Sequence, residues 1–149
     1  MRGTQQTAMN DTQAIQQVIS LYSEGCSLRD WNQVVATFLP DGAWEVPSRG
    51  LVITGHDALR AAMAGFVAGF DYFTQINAPA IITVAGDEAH ARTLIRECGK
   101  YSGTDEALEV TGVYTDRLVR TAGGWKFACR TFAGIGLHNF KVAPPRLPG

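Results

Sequence analysis

The chain has 149 residues, of which 46% are hydrophobic and 18% charged, and its formal net charge is −1 at pH 7. Length and composition together are typical of one globular domain with a well-formed core and argue against an intrinsically disordered chain. No cluster of Lys and Arg is long enough to follow a phosphate backbone, so the charge pattern argues against a nucleic-acid partner.

The sequence lacks the signals that direct a chain into or across a membrane. No run of about 18 apolar residues predicts a membrane span, and the N-terminal segment has no apolar stretch typical of a secretory signal. We therefore expect a cytoplasmic protein without a membrane partner. The three cysteines, Cys26, Cys98 and Cys129, form no C-x-x-C pair and are expected to be free thiols.

Three helices are predicted in the first half of the chain. Apolar residues spaced three and four apart predict the first helix over about 11–28 and the third over about 58–69. A second, short helix is expected over 30–39, because the turn residues at 40–42 (Pro-Asp-Gly) end it.

Six strands are predicted from apolar alternation and β-branched or aromatic content. They are expected at 43–46, 51–54, 73–84, 89–101, 108–121 and 125–135.

The two ends of the chain are predicted to lie outside the folded domain. Residues 1–9 are polar and expected to be frayed or disordered, and 138–149 form a proline-rich tail with Pro144, Pro145 and Pro148. The domain itself is therefore expected to span 10–137.

This order of elements predicts the fold class. Helices that precede a run of antiparallel strands indicate an α+β fold, with three N-terminal helices packed on one face of a curved antiparallel sheet. Three short helices cannot fill the concave side of such a sheet, so the elements form a cone around a pocket.

Several short phrases of the sequence carry a resemblance to a known family. In chain order they are LYS followed by RDW, FLPDGAWE, GVYTD, and GWKF followed by Arg130. Their order and spacing over roughly 10–135 resemble the SnoaL-like branch of the nuclear transport factor 2-like superfamily, which has a cystatin-like roll. The resemblance extends to scytalone dehydratase and hexachlorocyclohexane dehydrochlorinase.

The resemblance implies a kind of chemistry. Such enzymes typically use no metal and no cofactor, and they remove a proton next to an activated carbon with loss or shift of a group. The resemblance also implies a homodimer or homotrimer, because sheets of this family usually pack against each other. The sequence itself shows no H-E-x-x-H motif and no paired cysteines, so no metal site is predicted.

Asp30 has two interpretations. The resemblance implies a catalytic carboxylate near the pocket, which would orient a histidine base and stabilise its charged form. An Asp directly before a helical stretch is also an ordinary N-cap. The two roles are compatible, and the sequence does not decide between them.

The histidine that the resemblance implies is missing. The family's His-x-x-x-Asn phrase corresponds here to Phe73 and Asn77, so the dyad cannot form, and Phe73 is better suited to stack against a substrate. Of the three histidines, His56 and His90 are expected on the surface. His138, in the tail, is a candidate for the pocket mouth.

Glu97, Arg130 and Tyr22 complete the candidate catalytic set. Alternation from Ala89 places Glu97 on the inward face of its strand, where burial would raise its pKa toward that of a general acid or base. With the opposite phase, Arg96 faces inward instead. Arg130 holds an anion or pairs with Asp116 or Glu97, and Tyr22 donates to an oxyanion or is a core residue.

The substrate-binding residues are predicted from their apolar or aromatic character and their positions. They are Trp44, Phe73, Asn77, Val110, Tyr114 and His138.

Two functions follow as hypotheses. The first is a cofactor-independent lyase of the dehydratase or elimination type, or an isomerase, acting by acid–base catalysis on a hydrophobic aromatic, polyketide or steroid-like molecule. The second is a non-catalytic domain that binds a small molecule or supports an assembly, as the small subunits of ring-hydroxylating dioxygenases do. Phe73 favours the second, since it removes the usual base.

Overall fold

The computed structural model describes residues 9–144. The predicted frayed segment up to residue 8, and Pro145 and Pro148 of the predicted tail, lie outside the described residues. No described helix is both long and apolar enough to cross a membrane.

Three helices are found where the sequence predicts them. They are α1 (Asp11–Leu28), α2 (Trp31–Ala36) and α3 (His56–Val67). Asn10 begins α1 with a capping box, in which Gln13 N donates to Asn10 Oδ1 (2.9 Å) and Asn10 N donates to Gln13 Oε1 (3.1 Å).

Seven strands are found among the described residues. They are β1 (Phe38–Val46), β2 (Leu51–Thr54), β3 (Phe70–Asn77), β4 (Ile81–Ala85), β5 (Glu88–Tyr101), β6 (Glu106–Thr121) and β7 (Gly124–Lys141).

The second helix is shorter than predicted because β1 begins at Phe38. Phe127 N donates to Thr37 O (2.8 Å), and the ring of Phe38 packs against that of Phe127 with centroids 5.3 Å apart. Burial against β7 therefore draws this segment into the sheet. The turn residues at 40–42 lie within β1 rather than after a helix.

Two predicted strand boundaries are also wrong. The segment predicted as one strand over 73–84 is two, β3 and β4, separated by a break that contains Pro79. At the other end, β7 continues to Lys141, six residues beyond its predicted end at Ile135, because β6 pairs with it along its whole length, from Thr121–Gly124 to Glu106–Lys141.

One sheet contains all seven strands. Its order is β2-β1-β7-β6-β5-β3, and β4 also pairs with β5. The pairs are antiparallel except for β1 with β7, which are parallel, so the sheet is mixed. The predicted α+β class with three helices and a curved sheet is confirmed, and the parallel pair is the departure from it.

The core lies between α1 and the inner face of the sheet. Ile15 and Ile19 of α1 have no exposed surface, nor do Leu118 of β6 and Phe127 of β7. Burying side chains of this size stabilises the fold by roughly 1.5–3 kcal/mol each. The packed core fills the part of the sheet near the β6–β7 turn and leaves the other end of these long strands uncovered by α1.

Candidate active site

A cavity of about 550 Å³ opens between the helices and the inner face of the sheet. The helices contribute Tyr22, Cys26, Trp31, Met63, Phe66 and Val67 to its wall, and the sheet contributes most of the remainder. The wall is mainly aromatic and aliphatic, which is typical of sites for small organic molecules.

Only two charged side chains line this cavity within residues 9–144, Glu97 and Arg49. Arg49 is exposed and follows Pro47 in a short 3₁₀ helix, so it lies at the rim. Glu97 lies in the wall, in a row that crosses the sheet: it pairs with Gln75 on β3 and with Val110 on β6, and Val110 pairs with Leu137 on β7.

The inward phase of β5 matches the sequence prediction. Ala91, Thr93 and Ile95 are buried at every second position, and Glu97 follows on the same face. Arg96 faces outward, where it forms a salt bridge with Glu109 (2.7 Å). The alternative register, with Arg96 inside, is therefore wrong.

The environment of Glu97 favours its uncharged form. Burial raises the pKa of this carboxyl, and the hydrogen bond from Gln75 Nε2 to Glu97 Oε1 (2.7 Å) opposes that rise only in part. A carboxyl with a raised pKa is able to take up and release a proton nearer neutral pH than an exposed one.

Two buried tyrosines lie in the same cavity wall. Tyr22 Oη and Tyr114 Oη are 3.2 Å apart, and Trp44 Nε1 donates to Tyr114 Oη (3.2 Å). Burial raises the pKa of both hydroxyls well above the ordinary tyrosine value, so both stay protonated. Only one of their two protons can lie between the oxygens. The other is available to a ligand, since the sulfur atoms beside Tyr22, Met63 Sδ at 3.8 Å and the Cys26 thiol, are weak acceptors.

Arg130 lies beneath the cavity wall rather than on it. It has no exposed surface, and its guanidinium forms a two-pronged ion pair with Asp116 (Nε–Oδ1 2.9 Å, Nη2–Oδ2 3.1 Å). The rings of Tyr22 and Tyr114 lie 4.3 and 3.9 Å from its Cζ. Of the two roles predicted for Arg130, the structure shows the ion pair with Asp116, and Arg130 does not line the cavity where it would meet an anion.

Asp30 is the second correction to the catalytic set. Its side chain is exposed and does not line the cavity, and Asp30 Oδ1 accepts from Gln33 N (3.0 Å) as the N-cap of α2. The carboxylate points back along its own helix because the first-turn amides of α2 need an acceptor. Of the two interpretations of Asp30, only the cap fits the structure.

Asn77 and His138 are predicted substrate contacts that the structure places elsewhere. Asn77 faces inward but is covered by α1, where Ser23 Oγ donates to Asn77 Oδ1 (2.7 Å). His138 is exposed on the outer face, since it pairs with Glu109 while Leu137 beside it faces the cavity. His90 is exposed as predicted, whereas His56 is half-buried, with Nε2 3.0 Å from Phe38 O.

The other predicted contacts, Trp44, Phe73, Val110 and Tyr114, do line the cavity. Phe73 packs against Phe70 (5.3 Å between centroids), and both rings lie over Gly99, where any side chain would overlap them. Gly112 gives the ring of Phe132 the same space. Two glycines of the sheet thus allow aromatic rings to approach the strand backbone closely.

Sequence reasoning missed Gln75, which is the direct partner of Glu97. Other cavity-wall residues that were also missed include Cys26, Met63 and Leu108. Alternation along β3 puts Gln75 in phase with Phe73, and this signal was sufficient to find it. Burial raises the pKa of Cys26 to about 12, so its thiol is not a nucleophile at neutral pH.

No group of three or more His, Cys, Asp or Glu side chains within the described residues is arranged to hold a metal ion. Away from Arg49 at the rim, the groups of the cavity wall suited to acid–base chemistry are one half-buried carboxyl and two phenolic hydroxyls, set in a mainly apolar surface.

Comparison with solved structures shows the same fold in several bacterial proteins. A candidate aromatic ring hydroxylase from Novosphingobium aromaticivorans is 24% identical, with a TM-score of 0.79 over 87% of this chain and 93% of that one. A candidate scytalone dehydratase from the same organism is 24% identical, with a TM-score of 0.78 over 91% and 94%.

A third match is the type 3 hexachlorocyclohexane dehydrochlorinase of Novosphingobium barchaimii, 19% identical, with a TM-score of 0.78 over 89% of this chain and 93% of that one. At these identities the likeness shows a shared fold. No curated protein matches the chain. The family model described as the SnoaL-like domain matches residues 7–131, which is most of the chain, and the protein therefore belongs to the SnoaL-like family.

Proposed function

We propose that this protein is a cofactor-independent lyase of the elimination type, or an isomerase, acting on a hydrophobic aromatic, polyketide or steroid-like molecule. The observation that carries the proposal is Glu97, the one carboxyl that lines an otherwise mainly apolar cavity within the described residues. Membership of the SnoaL-like family, and the shared fold with a dehydrochlorinase and a candidate scytalone dehydratase, support this kind of chemistry.

In the proposed elimination, the Glu97 carboxylate takes a proton from the carbon next to an activating carbonyl group. The C–H electron pair forms the new C=C bond, and the leaving hydroxyl departs with the proton that Glu97 then returns, so that water is lost in total. A free hydroxyl proton of the Tyr22–Tyr114 pair stabilises the negative charge that develops on the carbonyl oxygen. In an isomerisation, Glu97 returns the same proton to a different carbon.

The wall of the cavity supports an apolar substrate. Trp44 and Phe66 pack together with centroids 5.5 Å apart, and Tyr114 packs against Phe132 at 5.4 Å. Such a wall binds a flat or polycyclic skeleton by burial of apolar surface, worth roughly 25 cal/mol per Å². Arg49 at the rim is the group that would meet a polar end of the ligand.

The proposal is tested with a panel of activated β-hydroxy ketones and ring-bearing polyketide analogues. Glu97→Gln keeps the shape and the hydrogen bond to Gln75 but cannot carry the proton, so kcat falls by about 10²–10⁴-fold. Asp30→Asn is the matched control: it keeps the N-cap and leaves kcat unchanged. Equal turnover by Glu97→Gln and the parent protein would overturn the assignment.

A second candidate is a non-catalytic domain that binds a small molecule or supports an assembly, as a dioxygenase small subunit does. The observation that favours it is Phe73, which stands where the resemblance implies a histidine base, together with the shared fold of a candidate ring hydroxylase. Saturable binding of panel members without turnover, unchanged in Glu97→Gln, is the result expected from this candidate.

We also propose that the chain forms a homodimer or homotrimer through the outer face of the sheet. Ile76 of β3 and Leu94 of β5 are 68% and 54% exposed on that face, and exposed apolar surface of this kind is typical of an interface.

A further inference from the structure

A row of buried and half-buried polar side chains lies behind Glu97, and none of them contacts the reacting atoms in the proposed reaction. Gln75 Nε2 donates to Glu97 Oε1, and Ser23 Oγ lies 2.7 Å from Gln75 Oε1 on the far side of the same amide. Asn77 Oδ1 lies 2.7 Å from the same Ser23 oxygen. Ser23 and Gln75 are only 4% and 7% exposed, so water does not substitute for these partners.

Ser23 has too few protons for the hydrogen bonds that the geometry of this row would require. A serine hydroxyl carries a single proton, yet Ser23 Oγ has an amide oxygen at 2.7 Å on each side. It donates to one of them, and the other amide must turn its NH₂ toward Ser23. Two arrangements give Ser23, Gln75 and Glu97 a complete set of partners, and they differ in the state of Glu97. The first also turns Asn77 Nδ2 away from Ile19 O, which it contacts at 3.4 Å in the structure.

In the first arrangement Glu97 is a carboxylate. Gln75 Nε2 donates to it, Ser23 donates to Gln75 Oε1, and the Asn77 amide turns to donate to Ser23. In the second, Glu97 is a carboxylic acid. It donates to Gln75 Oε1 after the Gln75 amide has turned over, Gln75 Nε2 donates to Ser23 Oγ, and Ser23 donates to Asn77 Oδ1. The orientation of Gln75 in the structure fits the first arrangement, and that of Asn77 fits the second.

We propose that Ser23, Gln75 and Asn77 form a hydrogen-bond relay that holds Glu97 in place in both of its protonation states. The role of this relay in a reaction rests on the proposed function, in which Glu97 acts first as a base and then as an acid. The three are positioning residues, because they act on the reaction through Glu97. When the hydrogen bonds along these three residues reverse direction, each protonation state of Glu97 has the donor or acceptor that it needs. The carboxyl itself does not move.

The other neighbours of Glu97 cannot take over this task. Cys26 from α1 and Tyr114 from β6 are the titratable groups whose electrostatic interaction with Glu97 is felt, and burial keeps both protonated. On β3 the facing residue is neutral Gln75, and on β6 it is Val110. Within residues 9–144 no Lys, Arg or His lies within 4.0 Å of the Glu97 carboxylate.

The test is an NMR titration of the free protein labelled with ¹³C at the glutamate carboxyls, in which Glu97→Gln identifies the Glu97 signal. Asn77→Ala removes the partner of Ser23 in both arrangements, with unequal cost. In the first it leaves only an unused lone pair on Ser23 Oγ, whereas in the second it leaves the buried Ser23 hydroxyl proton without its acceptor. The acid form is therefore destabilised more, and the titration midpoint of Glu97 falls by roughly 0.5 to 1 pH unit, the equivalent of one net hydrogen bond. Asn77→Val, which also lacks a polar side-chain atom, gives the same result if the alanine variant does not fold.

Two further variants make the test specific. In a Ser23→Ala background the relay is already broken, so Asn77→Ala causes no further shift. Ser27→Ala is the matched control: Ser27 Oγ accepts from the main-chain Gln75 N (2.9 Å) and not from its side chain, so the midpoint stays unchanged. The relay is overturned if Asn77→Ala leaves the midpoint unchanged or raises it, if Ser27→Ala shifts it equally, or if the shift persists without Ser23.

This titration is independent of the activity test. The titration is measured in the free protein, without substrate. Failure of the relay and failure of the proposed activity can therefore be told apart.

Discussion

The two candidate carboxylates show how position within an element decides the chemistry of a residue. Asp30 stands directly before a helix, and its oxygen is used by a first-turn amide. Glu97 stands in the middle of a strand, on a face that is buried, and this burial shifts its proton equilibrium. The same functional group is thus a structural cap in one place and a candidate acid–base group in the other.

The cap role of Asp30 gives a simple expectation. Asp30→Ala removes the acceptor for Gln33 N and lowers the free energy of unfolding by about 1 kcal/mol, while Asp30→Ser, which can still cap, costs much less. Urea unfolding followed by circular dichroism measures both. An Asp30→Ala variant that keeps its stability but loses turnover would place Asp30 in the reaction and contradict the structure.

For single residues, the sequence was sufficient to predict the direction and role of some side chains and not of others. Alternation along β5 predicted the inward direction of Glu97, because period two is a local property of a strand. Asp30 could not be resolved, because a cap and a pocket carboxylate share the same local sequence. His138 was misplaced since its facing direction depends on the register of β7 with β6, which only tertiary pairing sets.

Among the elements, the β6–β7 pair supports the site from the sheet. Its inner face near the turn holds Asp116 opposite Arg130, and its far end holds Val110 opposite Leu137 in the cavity wall. The ion pair is fully buried and stacked beneath Tyr22 and Tyr114, so it supports the tyrosines from behind. We infer that the pair is a structural support of the site rather than part of its chemistry.

Removing one partner of this ion pair is expected to be costly. Arg130→Met leaves the Asp116 carboxyl buried without its cation and lowers the free energy of unfolding by about 3–5 kcal/mol. The double variant Arg130→Met with Asp116→Leu removes both charges and regains most of that loss. Chemical unfolding of the three proteins checks the pattern, which fails if the double variant is less stable than Arg130→Met alone.

The elements also show where prediction from sequence ends. The three helices and the long strands β5 and β6 follow from periodicity, because their patterns extend over many residues. The start of β1 does not, since Phe38 joins the sheet through the parallel partner β7, which lies far along the chain. Local turn residues at 40–42 favoured a helix end, and tertiary pairing overrode them.

In the molecule as a whole, the cavity exists because the helices cover the concave face of the sheet unequally. α1 fills the concave face near one end of the sheet with Ile15, Ile19 and Tyr22, while Met63 and Phe66 of α3 reach only one side of the other end. The order of elements predicted this arrangement. The size of the space, and the exclusion of Asp30 from it, depend on tertiary packing and could not be read from the sequence.

The proposed chemistry requires that the Glu97 carboxyl is enclosed in an apolar cavity, and the pH dependence of stability tests this directly. Because burial raises the pKa of Glu97 in the folded protein, Glu97 favours folding below its unfolded pKa, and this contribution is lost as pH rises through the folded pKa. Glu97→Gln cannot ionise and avoids that loss.

The measurement is the free energy of unfolding of Glu97→Gln and of the parent protein by urea titration, from about pH 4 to about pH 8, a range that brackets the titration of a buried carboxyl. We predict that Glu97→Gln becomes progressively more stable relative to the parent as the pH rises. A difference that does not change with pH would show that Glu97 faces bulk water and would contradict the account.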